Sequence, residues 1–375
     1  MADTPLSYWD YLQLDTLLAL QGGADGDDRA LVPDELLFVI THQTYELWFK
    51  QVLRELSEAI ALFRAGPVPE ERIPWVVHHL RRAAQILHLA VAQFEVIESL
   101  TPQDFLGFRD KLVPASGFQS FQMREMELLL GLDAVQRVPY GKTDTLAHIR
   151  GLAVGSRGGA HAVAALDAAS AAAARGDTLR AALLDWLHRT PIDGSTPGSA
   201  ADDAVVDGFM SGYAAAFQAY QDDQAARLRA TGLSAEDEIA ARFAASTAAA
   251  VAFFDATDRP AEERAFARRV RAGLLYIESH RHLPLLAWPR LLVDTVVELE
   301  EQLVLWRNRH ARMVERIIGR RVGTGGSAGV EYLDKTTGPR IFGELWTVRT
   351  LLLPRQRVPA PQDAAYYYRF PPGSP

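Results

Sequence analysis

The stretch from Pro33 to Phe63 reads PDELLFVITHQTYELWFKQVLRELSEAIALF, and it predicts one long helix. Pro33 suits the first helical position, and Asp34 and Glu35 favour a first turn because the helix dipole is positive there. Apolar residues then recur near helical spacing, at Leu37, Ile40, Leu47, Leu53, Leu56, Ile60 and Phe63. Gly66 follows as a stop signal, so we predict that the helix ends shortly before it.

Helical patterns also dominate the chain outside this stretch, and strand alternation is scarce. The sequence Thr101-Pro102-Gln103-Asp104 has the cap, the proline and the acid of a helix start. Further helical segments are predicted at about 70–100, 118–130, 203–272 and 290–319, with a loop at 190–204. We therefore predict an all-α protein in which long antiparallel helices form a bundle. Side chains on facing helices of such a bundle can build a cofactor pocket.

The composition is that of a globular protein, and it excludes several classes of chemistry. The chain has 375 residues, 48% of them hydrophobic and 23% charged, and a formal net charge of -8. This acidity gives no support to nucleic-acid binding, for which a basic face is typical. Cysteine is absent, which excludes disulfides, thiolate ligands and a cysteine nucleophile. No secretory signal and no membrane span are expected, so we predict a cytoplasmic protein.

Histidine is the residue type in which to look for chemistry, since cysteine is absent. The chain has ten histidines, and no pair has the H-E-x-x-H spacing of a zinc hydrolase. His42 lies in the mostly apolar stretch 38–48, where a buried imidazole needs a hydrogen-bond partner. His310 ends the segment Trp306-Arg307-Asn308-Arg309-His310, in which polar and basic residues follow the tryptophan. Taken alone, His42 is better explained as a core residue bonded to a backbone carbonyl, and His310 as part of a solvated basic face.

Two further segments are unusual for a helical protein. One runs from Phe105-Leu106-Gly107-Phe108-Arg109-Asp110 into Pro114-Ala115-Ser116-Gly117-Phe118-Gln119-Ser120. The other is Gly323-Thr324-Gly325-Gly326-Ser327-Ala328-Gly329, whose amides and hydroxyls could wrap an anion. It lacks the lysine of a P-loop, which argues against nucleotide binding. Taken alone, this second segment is explained about equally well as a linker.

Together these segments resemble the signature of the tryptophan 2,3-dioxygenase family. The matching blocks occur in the family's order and approximate spacing, and four blocks in register are far more specific than any one of them. The blocks are Tyr8-x-x-Tyr11-Leu12-x-Leu14-Asp15, His42-Gln43-x-x-Glu46-Leu47-Trp48-Phe49-Lys50, Phe108-Arg109-Asp110 with Ala115-Ser116-Gly117-Phe118-Gln119-Ser120, and Arg316-Ile317-Ile318-Gly319 with Gly323-Thr324-Gly325-Gly326-Ser327. Val138-Pro139-Tyr140 also resembles the longer, animal-like members.

The chain departs from the family pattern at a few positions. Ser327-Ala328-Gly329 stands where a second serine is usual, Phe121-Gln122-Met123-Arg124 is a variant of the usual segment, and Asn308 replaces a common aromatic residue. The alanine-rich middle, about 145–270, matches only loosely. These departures remove no expected role, but they leave room for a relative with altered chemistry.

The resemblance implies a haem-dependent oxidation of L-tryptophan by O2. Both oxygen atoms would add across the indole C2–C3 bond to give N-formyl-L-kynurenine, in the first step of tryptophan catabolism by the kynurenine route. O2 is a triplet that reacts slowly with closed-shell substrates, and haem b would supply the activation. A neutral histidine ligand fits O2 binding without the strong push toward O–O cleavage that a thiolate gives, which agrees with the absence of cysteine.

The resemblance also implies roles for particular residues. His310 would be the proximal ligand of the haem iron, and His42 would be the catalytic distal histidine that faces and orients the indole N–H. Arg109 would bind the substrate carboxylate, and Thr324 would help to hold the amino acid as its loop closes. The expected neighbours of the indole are Phe38, Phe105, Leu12, Tyr8 and Tyr11, and those of the haem are Ser116 and Gly117.

The assembly implied by the resemblance is a homotetramer of single-domain chains, with the domain spanning residues 1–375. The N-terminal segment, residues 1–30, would reach the active site of a neighbouring subunit. Tyr8, Tyr11 and Leu12 would then act in trans.

Two other interpretations stay open. A relative on the same scaffold could insert one oxygen atom into an indole or phenol amino acid in natural-product biosynthesis, and the mass of the product would separate this activity from a dioxygenase. A helical haem-binding or sensor protein without turnover would show a haem spectrum that does not respond to tryptophan. Arg109 and Thr324 argue against the second alternative, since a haem carrier needs no clamp for a carboxylate.

Overall fold

A computed structural model confirms the all-α prediction. It describes residues 6–24, 26–66, 70–139, 143–325 and 329–368, and no β-strand occurs among them. Residues 1–5 lie outside these ranges, as do four residues of the sequence motifs: Tyr140, Gly326, Ser327 and Ala328. None of the helices in the described ranges combines the length and the apolar character needed to cross a membrane.

The helices are numbered in chain order. They are α1 (Tyr8–Leu12), α2 (Leu14–Leu17), α3 (Pro33–Arg64), α4 (Ile73–Ala92), α5 (Phe94–Ile97), α6 (Pro102–Arg109), α7 (Phe121–Leu130), α8 (Thr145–Ala153), α9 (Gly159–Ala174), α10 (Leu179–Arg189), α11 (Asp202–Thr231), α12 (Glu236–Phe254), α13 (Arg264–Ser279), α14 (Ala287–Ile318), α15 (Val330–Thr336), α16 (Gly343–Leu351) and α17 (Ala364–Tyr368).

The chain divides into two compact units, each built from three separate parts of the sequence. Unit 1 comprises Met1–Ser57, Arg81–Arg175 and Leu299–Arg340. Unit 2 comprises Glu58–Leu80, Gly176–Glu298 and Ile341–Pro375. The long helices α3, α4 and α14 have residues in both units. The single domain expected over residues 1–375 stays a prediction.

Helix α3 follows the prediction closely, because it begins at Pro33 and ends at Arg64. In its second half the predicted apolar positions are buried, namely Leu53, Leu56, Ile60 and Phe63. In its first half Ile40 and Leu47 are exposed instead. The buried face there runs through Thr41, Tyr45, Phe49 and Val52, which are spaced by three or four residues. The apolar spacing therefore identified the helix but not the buried face of its first half.

The next predicted helices are also present, with shifted boundaries. The segment predicted at 70–100 forms α4 and then α5, with a turn at Gln93, whose side-chain amide donates to the Thr41 carbonyl at 3.1 Å. The predicted cap at Thr101 is confirmed, since its hydroxyl accepts the backbone N–H of Asp104 at 3.2 Å. Helix α7 starts at Phe121, later than predicted, because Gly117–Gln119 form a 3-10 turn.

Helix α7 is held in unit 1 by the alanine-rich region. Leu128 of α7 packs in a buried cluster with Leu146 and Ile149 of α8 and with Leu166 and Ala169 of α9. Ala169 is the buried alanine of α9, and its small side chain lets the helix approach this cluster closely.

Unit 2 contains the predicted loop at 190–204, which runs up to the start of α11 at Asp202. Arg269 of α13 is buried beneath it. Its Nε donates to Asp202 Oδ2 at 3.0 Å, and its Nη2 donates to the Thr190 carbonyl at 3.0 Å. A buried, charge-assisted pair therefore holds an otherwise irregular segment.

Candidate active site

A large cavity lies within unit 1. It is lined by α3, α5, α6, α7, α14 and α15, together with the segments that follow α6 and α14. The space not filled by protein atoms is about 1510 Å³, with the opening to solvent included. Eight of the eleven site residues expected from the sequence line this one cavity: Phe38, His42, Phe105, Arg109, Ser116, Gly117, His310 and Thr324.

His42 lies on the cavity side of α3, and its tautomer follows from one hydrogen bond. Its Nδ1 is 2.8 Å from the Phe38 carbonyl, one turn earlier in the helix. A carbonyl only accepts, so Nδ1 carries the proton and Nε2 keeps a lone pair when the ring is neutral. Burial lowers the pKa of His42, while the Phe38 carbonyl and Glu46 act in the opposite direction. The neutral ring therefore presents one hydrogen-bond acceptor.

His310 reaches the same cavity from α14. Burial lowers its pKa to about 4, with smaller contributions from His42 and Arg124. Its ring stacks on Phe94, with 5.8 Å between centroids, and lies 5.1 Å from the ring of Trp306. The imidazole is therefore neutral near pH 7, which is the state that binds a metal.

Aromatic side chains form an apolar wall beside His42. The ring of Phe38 lies 4.0 Å from the His42 ring and 5.8 Å from Phe105, between centroids. Phe105 and Phe108 of α6 meet edge to face at 5.4 Å. This wall suits a flat apolar group next to the imidazole acceptor.

Arg109 is the last residue of α6, and it contacts the segment that follows α14. Its Nη2 donates to the Val322 carbonyl at 2.6 Å. Its Nε is buried and has no hydrogen-bond partner among the described residues. Arg109 forms no ion pair with any carboxylate that the structure describes. The guanidinium thus lines the cavity with donor capacity left over.

The glycine-rich segment packs against the 115–117 turn. The Thr324 hydroxyl donates to the Ala115 carbonyl at 2.6 Å. A Cβ at Gly325 would lie 2.7 Å from the Cβ of Ser116, so only glycine allows this approach. The Ser116 hydroxyl in turn accepts the backbone N–H of Phe118 at 3.3 Å. The two unusual segments of the sequence therefore meet at the edge of the cavity.

The three N-terminal residues expected at the site do not line the cavity of their own chain. Tyr8, Tyr11 and Leu12 belong to α1 and its end, where 69%, 74% and 41% of their surface is exposed. Their expected role in a neighbouring subunit stays a prediction.

Comparison with known proteins agrees with the sequence motifs. The family model described as tryptophan 2,3-dioxygenase matches residues 1–352. The chain belongs to the tryptophan 2,3-dioxygenase family. The resemblance inferred from the four sequence blocks is thereby confirmed.

Individual members of the tryptophan 2,3-dioxygenase family are similar to the chain along nearly its whole length. The tryptophan 2,3-dioxygenase of Sorangium cellulosum is 46% identical over 368 residues, 96% of this chain and 87% of that protein. Tryptophan 2,3-dioxygenase 2 of Ralstonia nicotianae is 45% identical over 370 residues, 97% of each chain. The tryptophan 2,3-dioxygenase of Xenopus laevis is 34% identical over 364 residues, 94% of this chain and 84% of that protein.

The motifs shared with tryptophan 2,3-dioxygenases did not indicate the charged residues Arg124, Glu127 and Arg307, which also line the cavity. One signal could have found them. Arg307 precedes His310 by three residues, and Arg124 precedes Glu127 by three, so the members of each pair share a helix face. Charged residues at that spacing beside an expected ligand indicate a buried network.

Proposed function

We propose that this chain binds haem b in the cavity of unit 1 and converts L-tryptophan and O2 into N-formyl-L-kynurenine. One observation carries the proposal: His42 and His310, 268 positions apart in the printed sequence, line one cavity together with Arg109 and Thr324. Family membership supports dioxygenase chemistry, since relatives named tryptophan 2,3-dioxygenase occur in bacteria and in animals.

The residues present fit a haem. His310 supplies a buried neutral imidazole, which would hold the haem iron. Phe94 and Trp306 pack on this imidazole, and apolar side chains form much of the remaining wall. Ser116 and Gly117, which the resemblance places beside the haem, lie at the edge of this space. When bound, ferrous haem supplies the activation that triplet O2 needs to react with a closed-shell indole.

His42 orients the substrate in this proposal. The bond from its Nδ1 to the Phe38 carbonyl leaves Nε2 as an acceptor, and the indole N–H of tryptophan is a donor. The indole N–H is a poor acid, so we assign His42 orientation rather than proton removal. Phe38 and Phe105 provide the apolar surface against which the indole packs and from which water is excluded.

Arg109 binds the substrate carboxylate in this proposal. Its planar guanidinium can offer two parallel donors to a carboxylate, and no described carboxylate competes for it. The Thr324 hydroxyl lies at the same side of the cavity and can contact the charged groups of the amino acid. Fixing both ends of the substrate holds the indole ring in one orientation, which lowers the entropic part of the barrier.

The assembly and the location of the protein are part of the same proposal. The active form is a homotetramer in the cytoplasm, in which Tyr8, Tyr11 and Leu12 complete the indole pocket of a neighbouring subunit. The exposure of these side chains in the single chain supports this arrangement.

The test is an absorbance experiment in one cuvette. Protein loaded with haem is reduced without oxygen, its spectrum is recorded with and without L-tryptophan, and O2 is then admitted. We expect tryptophan to perturb the haem spectrum, and O2 to produce the absorbance of N-formyl-L-kynurenine. A haem spectrum that ignores tryptophan, followed by no product, would refute the proposal.

The insertion of a single oxygen atom is the alternative, and the names of the relatives do not favour it. Labelled O2 separates the two reactions. We expect both atoms of one ¹⁸O2 molecule in the product, as two new carbonyl oxygens. One label per product would favour the monooxygenase.

A further inference from the structure

A buried carboxylate, Glu127, stands in the cavity wall between two arginines. Its side chain is 3% exposed and that of Arg307 is 5% exposed. Oε1 of Glu127 accepts from Arg307 Nη2 at 2.6 Å, and Oε2 lies 3.1 Å from Nη1 of Arg124. A buried charge is retained only where a partner compensates for its lost hydration. Arg307 is therefore hydrogen-bonded to Glu127, whereas Arg124 forms an ion pair with Oε2 without a hydrogen bond.

This group joins three of the helices that surround the cavity. Glu127 belongs to α7, and Arg307 belongs to the part of α14 in unit 1. Arg307 also donates from Nη1 to the carbonyl of Thr336, at the end of α15, at 3.2 Å. The guanidinium of Arg307 thus fixes α14 against both α7 and α15.

Few contacts with described side chains fix the ring of His310. A metal-bound histidine usually donates its second ring nitrogen to a carboxylate or a carbonyl. The His310 ring forms no hydrogen bond with any residue that the structure describes, and its aromatic neighbours are Phe94 and Trp306. Its position is therefore set by the backbone of α14, where Arg307 lies three residues earlier on the same face.

We propose that Glu127 is a positioning residue for His310, acting through Arg307 to hold the ligand-bearing segment of α14 in place. The inference rests on the proposed function, since it concerns the haem ligand. Without the carboxylate, Arg124 and Arg307 become two neighbouring cations with no counter-ion in this group. Arg307 is then driven away from α7, and the segment that carries His310 moves with it.

The test compares Glu127→Gln with Glu125→Gln in the haem-loaded protein. Both substitutions remove one carboxylate from α7, but Glu125 does not line the cavity. Two quantities are measured: the iron–histidine stretching band of the ferrous protein by resonance Raman, and the rate of haem transfer to excess apomyoglobin. We expect Glu127→Gln to shift or broaden the band and to accelerate haem loss by about 10- to 100-fold. Glu125→Gln should match wild type in both.

A purely structural role gives a different result. Glu127→Gln would then lower the melting temperature but leave the iron–histidine band unchanged, with haem loss within about twofold of wild type at temperatures where the fold is intact. That outcome overturns the inference.

If Glu127→Gln does not fold, the iron–histidine band of Arg307→Lys tests the inference instead. Lysine keeps the charge beside Glu127 but cannot donate to Glu127 and Thr336 as a fixed fork. We expect a smaller shift of the same band, and an unchanged band overturns the inference. Wild-type protein that binds no haem would overturn the proposed function itself. Normal haem binding by wild type, with unchanged variants, overturns the inference alone.

Discussion

Burial decides the chemical state of both cavity histidines. The largest influence on each is the loss of hydration, which disfavours the imidazolium and lowers its pKa. The two neutral rings lie on different helices, and they differ in their hydrogen bonds. His42 has committed Nδ1 to a backbone carbonyl, whereas His310 has no such bond to a described residue and can bind iron.

Because His42 acts as a neutral ring, kcat/KM for L-tryptophan should fall at acid pH, which gives its pH profile an acid limb. Protonation would place a hydrogen on Nε2 and turn the acceptor for the indole N–H into a donor. Because burial lowers the pKa of His42 below 6.5, kcat/KM for L-tryptophan should be flat from about pH 8 to 6.5 and fall only at lower pH. His42→Asn should turn over more slowly and lose this limb. Steady-state rates across the pH range check both points, and a limb centred above pH 6.5 would contradict the assignment.

Replacing Arg109 should lower kcat/KM only for substrates that carry a carboxylate. Truncating one partner of a buried charge pair costs on the order of 2 to 5 kcal/mol, so Arg109→Ala should lower kcat/KM for L-tryptophan by roughly 30- to 3,000-fold. Haem content and melting temperature should stay near wild type. Arg109→Lys should rescue only in part, because an ammonium cannot offer two parallel donors.

Tryptamine provides the control for Arg109, since it lacks the carboxylate. It should be a poor substrate for wild type and lose little more on Arg109→Ala. Arg109 also holds the Val322 carbonyl, so the comparison separates two roles. Equal losses with tryptamine and tryptophan would mean that Arg109 supports the fold or the haem.

Replacing His310 should remove the haem from the protein. His310→Ala removes the ring proposed as the only protein ligand of the iron, so the purified variant should retain little haem. Haem content per chain and the ferrous spectrum measure this directly. A variant that keeps a five-coordinate histidine-type spectrum would show that another residue binds the iron.

The sequence predicted where helices occur better than it predicted which face of each helix is buried. Pro33 and Thr101 are local signals that depend on neighbouring residues alone, and both mark real helix starts. The exposure of Ile40 and Leu47 could not be read from apolar spacing, because it depends on which helices pack on α3. Helix starts depend on a few neighbouring residues and can be predicted from them. The buried face of a helix depends on residues that are distant in the chain.

The same distinction applies to the candidate site. Family motifs pointed to His42, Arg109, Thr324 and His310, and the fold brings these residues to one cavity. The pair of Glu127 and Arg307 was missed, because its partners are 180 residues apart and neither lies in a matched block. The spacing of Arg307 and His310 on one helix could have drawn attention to Arg307, but its pairing with a residue on a distant helix is a property of the tertiary structure.

The buried pair in unit 2 predicts a large effect on stability. Arg269→Ala leaves Asp202 buried without its partner, which should lower the free energy of unfolding by about 3 to 5 kcal/mol. Arg229→Ala is the control, because its pair with Glu236 is exposed and should be worth about 0 to 1 kcal/mol. Denaturant titration of both variants measures the difference. Similar losses for the two would show that burial does not govern the Arg269 pair.

The N-terminal segment leaves large apolar side chains exposed in the single chain. Tyr8, Trp9, Tyr11, Leu18 and Leu20 are all exposed. A concentration of large apolar side chains at the surface usually marks an interface. The tetramer proposed for this chain would cover them, and it would bring Tyr8, Tyr11 and Leu12 to a cavity that they do not line in their own chain.

Deleting residues 1–20 tests this arrangement. His310 and the rest of the cavity wall are retained in the truncated chain, so haem content should stay near wild type. The indole would lose the neighbours that a second subunit supplies, so turnover of L-tryptophan should fall much more than haem content does. Deletion of residues 1–5 is the control, because it spares Tyr8, Tyr11 and Leu12 and should leave turnover near wild type. Light scattering gives the mass of each form, and wild type should be tetrameric. Full activity of the protein that lacks residues 1–20 would show that the N-terminal segment is not part of any active site.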